Sequence, residues 1–152
     1  MKVLGLRSYK DKISWALVEG ASRATAALTS HHSDSAPGSG RGEVLAWVRE
    51  EVAGLMAEHS PDAVVLCPAE GQQLSNAIGE RAQVDGVILE VTHSLGTTAT
   101  AKKGATLRAN FGAQNNAAFQ AVVNALPAMS GIGPTAERRE PTIAALSALP
   151  EA

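Results

Sequence analysis

The residues with chemical potential fall into a few groups along the chain. Cys67, the only cysteine, ends the apolar run Ala63–Cys67, which Pro68 closes. A thiol works as a nucleophile only where its pKa is depressed and a base stands beside it. His93 is the candidate base; a buried structural thiol is the plainer reading. His31, His32 and Asp34 have metal-ligand chemistry but no fourth spaced partner. Gly38-Ser39-Gly40-Arg41-Gly42 precedes a helical pattern, as an anion cradle would. It lacks the Lys-Ser/Thr pair of a P-loop and reads as a linker. Two sets of cations remain: Arg7, Lys10 and Lys12 near the start, and Lys102, Lys103 and Arg108 in a stretch with no acid between Glu90 and Glu137. Brought together, such groups bind phosphate directly, without a metal.

Something must position these groups, and 152 residues suffice for one domain with one sizeable core. Hydrophobic residues make up 45% and charged residues 18%, as in ordinary globular proteins. The net charge of -2 excludes a global basic field, so any nucleic-acid surface must be local. At 3% aromatic, the chain has no material for a platform of stacked bases. One cysteine excludes an internal disulfide and a cysteine zinc site within one chain. No apolar run is long enough for a membrane span, and Met1-Lys2-Val3-Leu4 reads as the start of a strand rather than a signal peptide. The expected location is therefore cytoplasmic.

Ala63–Cys67, between Ser60-Pro61-Asp62 and Pro68, is apolar throughout, which suits a strand buried on both faces. Ahead of it the spacing predicts a hairpin. In the first strand, Lys2–Arg7, Leu4 and Leu6 share one face and Val3 and Gly5 the other. In the second, Ile13–Glu19, Ile13, Trp15 and Leu17 oppose Ser14, Ala16 and Val18. Ala24–Ser30 is a weaker third strand, and 31–42 a mobile Ser/Gly/Pro loop. Val44, Leu45, Val48, Val52, Leu55 and Met56 mark a helix over 41–60, ended by Pro61. A second helix is expected over 72–95, with Gly79 and Gly86 on one side for close approach to a sheet or a partner helix. A short strand at 96–101 and helices at 106–111 and 116–126 follow. The Gly-, Pro- and charge-rich remainder, 131–152, is expected to be a flexible C-terminal tail behind a domain of residues 1–130.

This order resembles the ribonuclease H-like fold, and within it the RuvC-type Holliday-junction resolvases. The resemblance rests on Val3-Leu4-Gly5-Leu6-Arg7, on Ile13–Val18, on His59–Leu66, and on Arg81–Leu89, which carries a Gln-x-x-Gly-Val pattern. It covers roughly residues 1–126. The implied architecture is α/β: a mixed five-stranded sheet, three antiparallel strands then two parallel ones, flanked by helices. The implied chemistry is metal-dependent cleavage. Two Mg²⁺ ions about 4 Å apart activate water and stabilise the leaving oxygen, and Mg²⁺ takes hard oxygen ligands.

The chain departs from that pattern where it matters. Arg7 stands where the resemblance implies the first-strand carboxylate, and Cys67 where it implies a Glu. The last helix, taken as 116–126, has no acid. Glu70, three residues beyond Cys67, is a possible surrogate carboxylate or a solvated loop residue. In this fold the first hairpin and the segment after the last strand can approach one face. Arg7, Lys10, Lys12, Lys102, Lys103 and Arg108 are thus the expected nucleic-acid-binding set. The resulting expectation is a catalytically degenerate module that binds nucleic acid or a protein partner, with no metal or other cofactor and no catalytic residue. The alternatives are a divergent nuclease or resolvase using Mg²⁺, and a structural subunit that forms a homodimer through helix 72–95.

Overall fold

The computed structural model describes residues 1–71 and 76–152. Its elements run β1 (Lys2–Ser8), β2 (Lys12–Glu19), β3 (Ala27–Ser35), α1 (Arg41–His59), β4 (Ala63–Cys67), α2 (Asn76–Ser94), β5 (Ala99–Ala101), α3 (Gly104–Asn110), α4 (Asn116–Asn124), a 3-10 turn (Pro127–Met129) and α5 (Ala136–Leu146). The five strands form one sheet in the order β3-β2-β1-β4-β5. β1, β2 and β3 are antiparallel, and β4 and β5 join parallel to β1. This is the expected mixed α/β sheet. The residues 72–75 expected to open the second helix lie outside the described residues.

Strand alternation divides the core into two. Leu4, Leu6, Ile13, Trp15, Leu17, Val64 and Leu66 meet the apolar stripe of α1 and the buried side of α2. Val3, Val18, Val65 and Cys67 point the other way, toward α3, α4 and the C-terminal segment. α1 ends as Pro61 requires. Ser60 turns left-handed at φ 45°, and its N–H returns to the Met56 carbonyl at 3.0 Å.

Three expectations fail, each for a physical reason. The third strand is not Ala24–Ser30 but Ala27–Ser35, because residues 22–26 form a turn in which the Ala26 N–H meets the Ser22 carbonyl at 2.9 Å. The strand then continues through His31–Asp34, half of the expected mobile loop. There, pairing of Trp15 with His32 and Ile13 with Asp34 outweighs the poor strand propensity of Ser and Asp. Gly79 and Gly86 do not approach the sheet: a Cβ built on either meets nothing within 4 Å.

The largest correction concerns residues 131–152. They are not a loose tail. α5 lies across β1, β2 and β4, and Pro141 to Leu146 are all buried, with Ala144, Ala145 and Leu146 fully inaccessible. The helix escapes a periodicity search because only Ile143 and Leu146 of its buried residues are large, the others being the smaller Pro141, Thr142, Ala144 and Ala145. That smallness lets it lie close to the sheet. A Cβ on Gly5 would run into the Pro141 carbonyl oxygen and sit 2.8 Å from its carbon and 2.9 Å from the Ala145 nitrogen. Arg23 fastens the far end, donating to the Leu146 and Ser147 carbonyls while its guanidinium lies 4.2 Å from the Phe111 ring centre. Among the described residues no helix is long and apolar enough to cross a membrane.

Candidate functional site

The carboxyl ends of the parallel neighbours β1 and β4 put Arg7 directly beside Cys67. Both side chains leave the sheet on the α5 side. Because Gly5 fixes how closely α5 crosses, the residue before Pro141 arrives directly above this pair. That residue is Glu140, which forms an ion pair with Arg7, while the Cys67 thiol points at the Glu140 carbonyl at 3.6 Å. One turn earlier on α5, Glu137 pairs with Lys12 at 2.8 Å. Hydrogen bonds from Lys12 and Ser33 hold the Glu137 carboxyl below the usual carboxylate range. The Tyr9 ring joins the two pairs, with Arg7 4.3 Å and Lys12 4.4 Å from its centre.

The last helix of the fold is therefore α5, not 116–126, and it does carry two acids, Glu137 and Glu140. Sequence reasoning missed them by assigning their helix to the tail. The signal was present as Glu137-Arg138-Arg139-Glu140, which sets two acids three apart on one helical face.

Arg81 reaches from α2 to the same strand ends. Its Nε donates to the Ser8 hydroxyl at 2.9 Å, and a terminal nitrogen donates to the Cys67 and Pro68 carbonyls at 3.1 and 3.2 Å. Burial, and then the neighbouring Arg7 charge, lower its pKa. Glu70 is no surrogate in the cluster: its carboxylate accepts the Gly104 N–H at the start of α3, at 3.1 Å.

These groups open onto a cleft of about 700 Å³ between the strand ends and α3, α4 and α5. Arg7, Arg81, Lys102, Arg108 and Arg139 line it, against Glu70 and Glu140. Five cations and two carboxylates make it an anion-attracting concavity in a protein of net charge -2. Of the expected set, Arg7, Lys102 and Arg108 meet here, while Arg81 and Arg139 were missed. Lys10 and Lys12 line an adjoining hollow with Tyr9 and Arg81. Lys103 is exposed at the N-cap of α3. Lys102 is committed elsewhere: its ammonium donates to Asn110 Oδ1 and to the Ser147 carbonyl and hydroxyl, tying down the end of α5.

The other candidates disperse. Burial pushes the Cys67 thiol up to about 12, with a contribution from Glu140, so it is neutral at physiological pH. His93 stands at the far end of α2, roughly 12 Å along the helix beyond Asp85, the α2 residue that bonds the Ala69 N–H just after β4. His32 and Asp34 meet on β3 at 3.1 Å. The glycine-rich cradle before α1 is covered by its own Glu43, whose carboxylate lies against Gly38 and Gly40. A divalent metal does not suit the residues at the strand ends. One expected carboxylate is a guanidinium, another is a neutral thiol, and the two acids of α5 are each paired with a cation. Among the described residues no three His, Cys, Asp or Glu side chains are placed to hold a metal ion.

Solved structures that share this fold include three Holliday-junction resolvase structures. The Thermus thermophilus RuvC structure superposes with a TM-score of 0.79 at 14% identity, covering 97% of this chain and 92% of that one. T. thermophilus RuvC in complex with a Holliday junction substrate gives 0.77 at 14% identity, over 97% and 91%. The yeast mitochondrial Holliday junction resolvase gives 0.55 at 6% identity, over 80% of this chain and 57% of that one. No protein-family model matches the sequence, and no curated protein matches it.

Proposed function

We propose that this chain is a nuclease-derived module that binds nucleic acid through the cationic cleft and does not cut it. The observation that carries the reading is the cleft itself, beside the strand ends where a ribonuclease H-like nuclease would place metal-binding carboxylates. It is lined by Arg81, Arg108 and Arg139 in addition to the engaged Arg7 and Lys102, and among the described residues Arg108 and Arg139 bond only neutral side chains. Cations of this kind hold phosphodiesters directly and give affinity that falls steeply with salt. The RuvC neighbour was solved with a Holliday junction, which makes branched DNA the first ligand to test. A cytoplasmic protein is the corresponding expectation.

The test is binding of a labelled four-way junction, a duplex and a single strand across a salt series, with Mg²⁺ or Mn²⁺ present. Binding should weaken linearly on a logarithmic scale, with no product formed. Arg108→Ala and Arg139→Ala should each reduce the slope by about 1. Cleavage that Glu140→Gln abolishes would overturn the non-catalytic reading. Salt-independent or absent binding would favour a second reading, a homodimer through α2. That reading has its own observation: Gly79, Gly86 and the 38%-exposed Leu89 all lie on the open side of that helix. Sedimentation would then show the dimer.

A further inference from the structure

We infer that the site carries its own cations in place of a metal: Arg7 and Lys12, seated against Tyr9, neutralise Glu140 and Glu137 and keep divalent ions out. This deepens the proposed function at the same site. The argument rests on three features of the geometry. First, the cations are built in rather than incidental. Arg7 is only 18% exposed at its side chain and Lys12 29%. A single ring, Tyr9, receives both charges at 4.3 and 4.4 Å. Second, the balance closes locally: one guanidinium meets one carboxylate, and one ammonium meets the other. A divalent ion that bound either acid would have to displace a cation already paired with it. Third, the neighbours add no carboxylate to the pair: the Cys67 thiol keeps its proton and directs it at the Glu140 carbonyl, and Arg81, at the same strand ends, adds a further positive charge.

The consequence is a division of labour unlike that of a metal site. A metal must be recruited, so the closeness of α5 to the sheet would depend on metal concentration. Here covalently attached cations hold Glu140 and Glu137 over β1 and β2 at all times. Tyr9 is then a positioning residue. It sets where both charges stand.

The experiment is an Mn²⁺ titration of the full chain, reading free Mn²⁺ by electron paramagnetic resonance and the melting temperature in parallel. It contains no nucleic acid, so it fails or succeeds separately from the binding proposal. Wild type should leave Mn²⁺ free, and EDTA or Mn²⁺ should not move its melting temperature. Arg7→Asp combined with Cys67→Glu should bind Mn²⁺ and melt higher with it, because new carboxylates then face the two acids of α5. Arg7→Gln keeps most of the volume, guards against failure of the double variant to fold, and should bind Mn²⁺ at least about tenfold more tightly than wild type. Tyr9→Ala should raise Mn²⁺ affinity in the same direction, since loosening the two cations exposes the acids they cover; a purely structural ring would lower stability without changing metal affinity. Saturable Mn²⁺ binding by wild type that Glu140→Gln removes would overturn the inference. So would folded Arg7→Gln and double variants that bind no more Mn²⁺ than wild type.

Discussion

Gly5→Ala is the smallest perturbation that tests how the site is held together. The added methyl would occupy the place of the Pro141 carbonyl oxygen, 2.8 Å from the carbonyl carbon and 2.9 Å from the Ala145 nitrogen. These are backbone atoms, so no rotamer change relieves the clash. Either α5 lifts by an ångström or more, or β1 buckles. Ordinary overpacking of a core costs about 1–3 kcal/mol because side chains share the strain. A helix backbone cannot share it in that way, so the expected loss lies at or above the top of that range. A loss of about 3 kcal/mol should lower the melting temperature of a chain this long by roughly 6–12 °C. Lifting α5 also separates Glu140 from Arg7 and uncovers Ala144 and Ala145, both fully buried. Urea unfolding followed by circular dichroism measures the loss, and the same variant should lose cleft function in the salt-series binding assay. A Gly5→Ala protein with unchanged midpoint, slope and binding would refute the close crossing of α5 over β1, and with it the placement of Glu140 above Arg7.

Two further outcomes follow from the same geometry. The fragment 1–130 should fail to fold, because it lacks the helix that covers Val3, Val18 and Val65; a cooperative urea transition in that fragment would contradict this. Cys67, with its thiol pushed up to about 12, should be alkylated by iodoacetamide at pH 8 some thousandfold more slowly than a free cysteine, and reach the free rate in urea. The same displacement carries a sign for stability. Its contribution is complete below the ionisation of the unfolded thiol and is lost as pH rises from about 9 toward 12, so Cys67→Ala should soften the alkaline limb of the stability profile.

How much of this was legible in the sequence depends on how each element signals. β1, β2 and β4 could be placed because alternation and an unbroken apolar run leave direct traces. α1 could be placed because large aliphatic residues recur on one face. β3 and α5 left weaker traces for opposite reasons. β3 is an edge strand whose Ser, His and Asp residues read as loop, and only its partner β2 explains why they extend. α5 buries small residues and contains Pro141, so propensity and hydropathy both argue against a core helix. What it gains is proximity, which depends on Gly5 more than a hundred residues away; no local window contains that information. The error then spread to the site. Placing α5 in a tail removed Glu137, Glu140 and Arg139 from consideration and made the expected cluster look emptier than it is. Lys102 erred in the other direction. Its charge suggested a phosphate contact, whereas its three acceptors are Asn110 and Ser147 groups.

The charge pairing at the strand ends is best understood as a solution to a folding constraint. Gly5 and the small residues of α5 bring Glu140 down onto the ends of β1 and β4 whatever stands below it. A carboxylate on β1 would place like charges together in a half-buried site, a cost that only a bound cation removes. An arginine at that position supplies the counter-charge within the chain itself. A neutral thiol on β4 adds no further repulsion, and Lys12 serves Glu137 in the same way. Arg7 and Cys67 thus form one arrangement with the two acids of α5. Introducing a carboxylate at only one of the two positions would leave the site short of a partner on one side, which is why the metal titration changes both together and tests the charge of Arg7 separately.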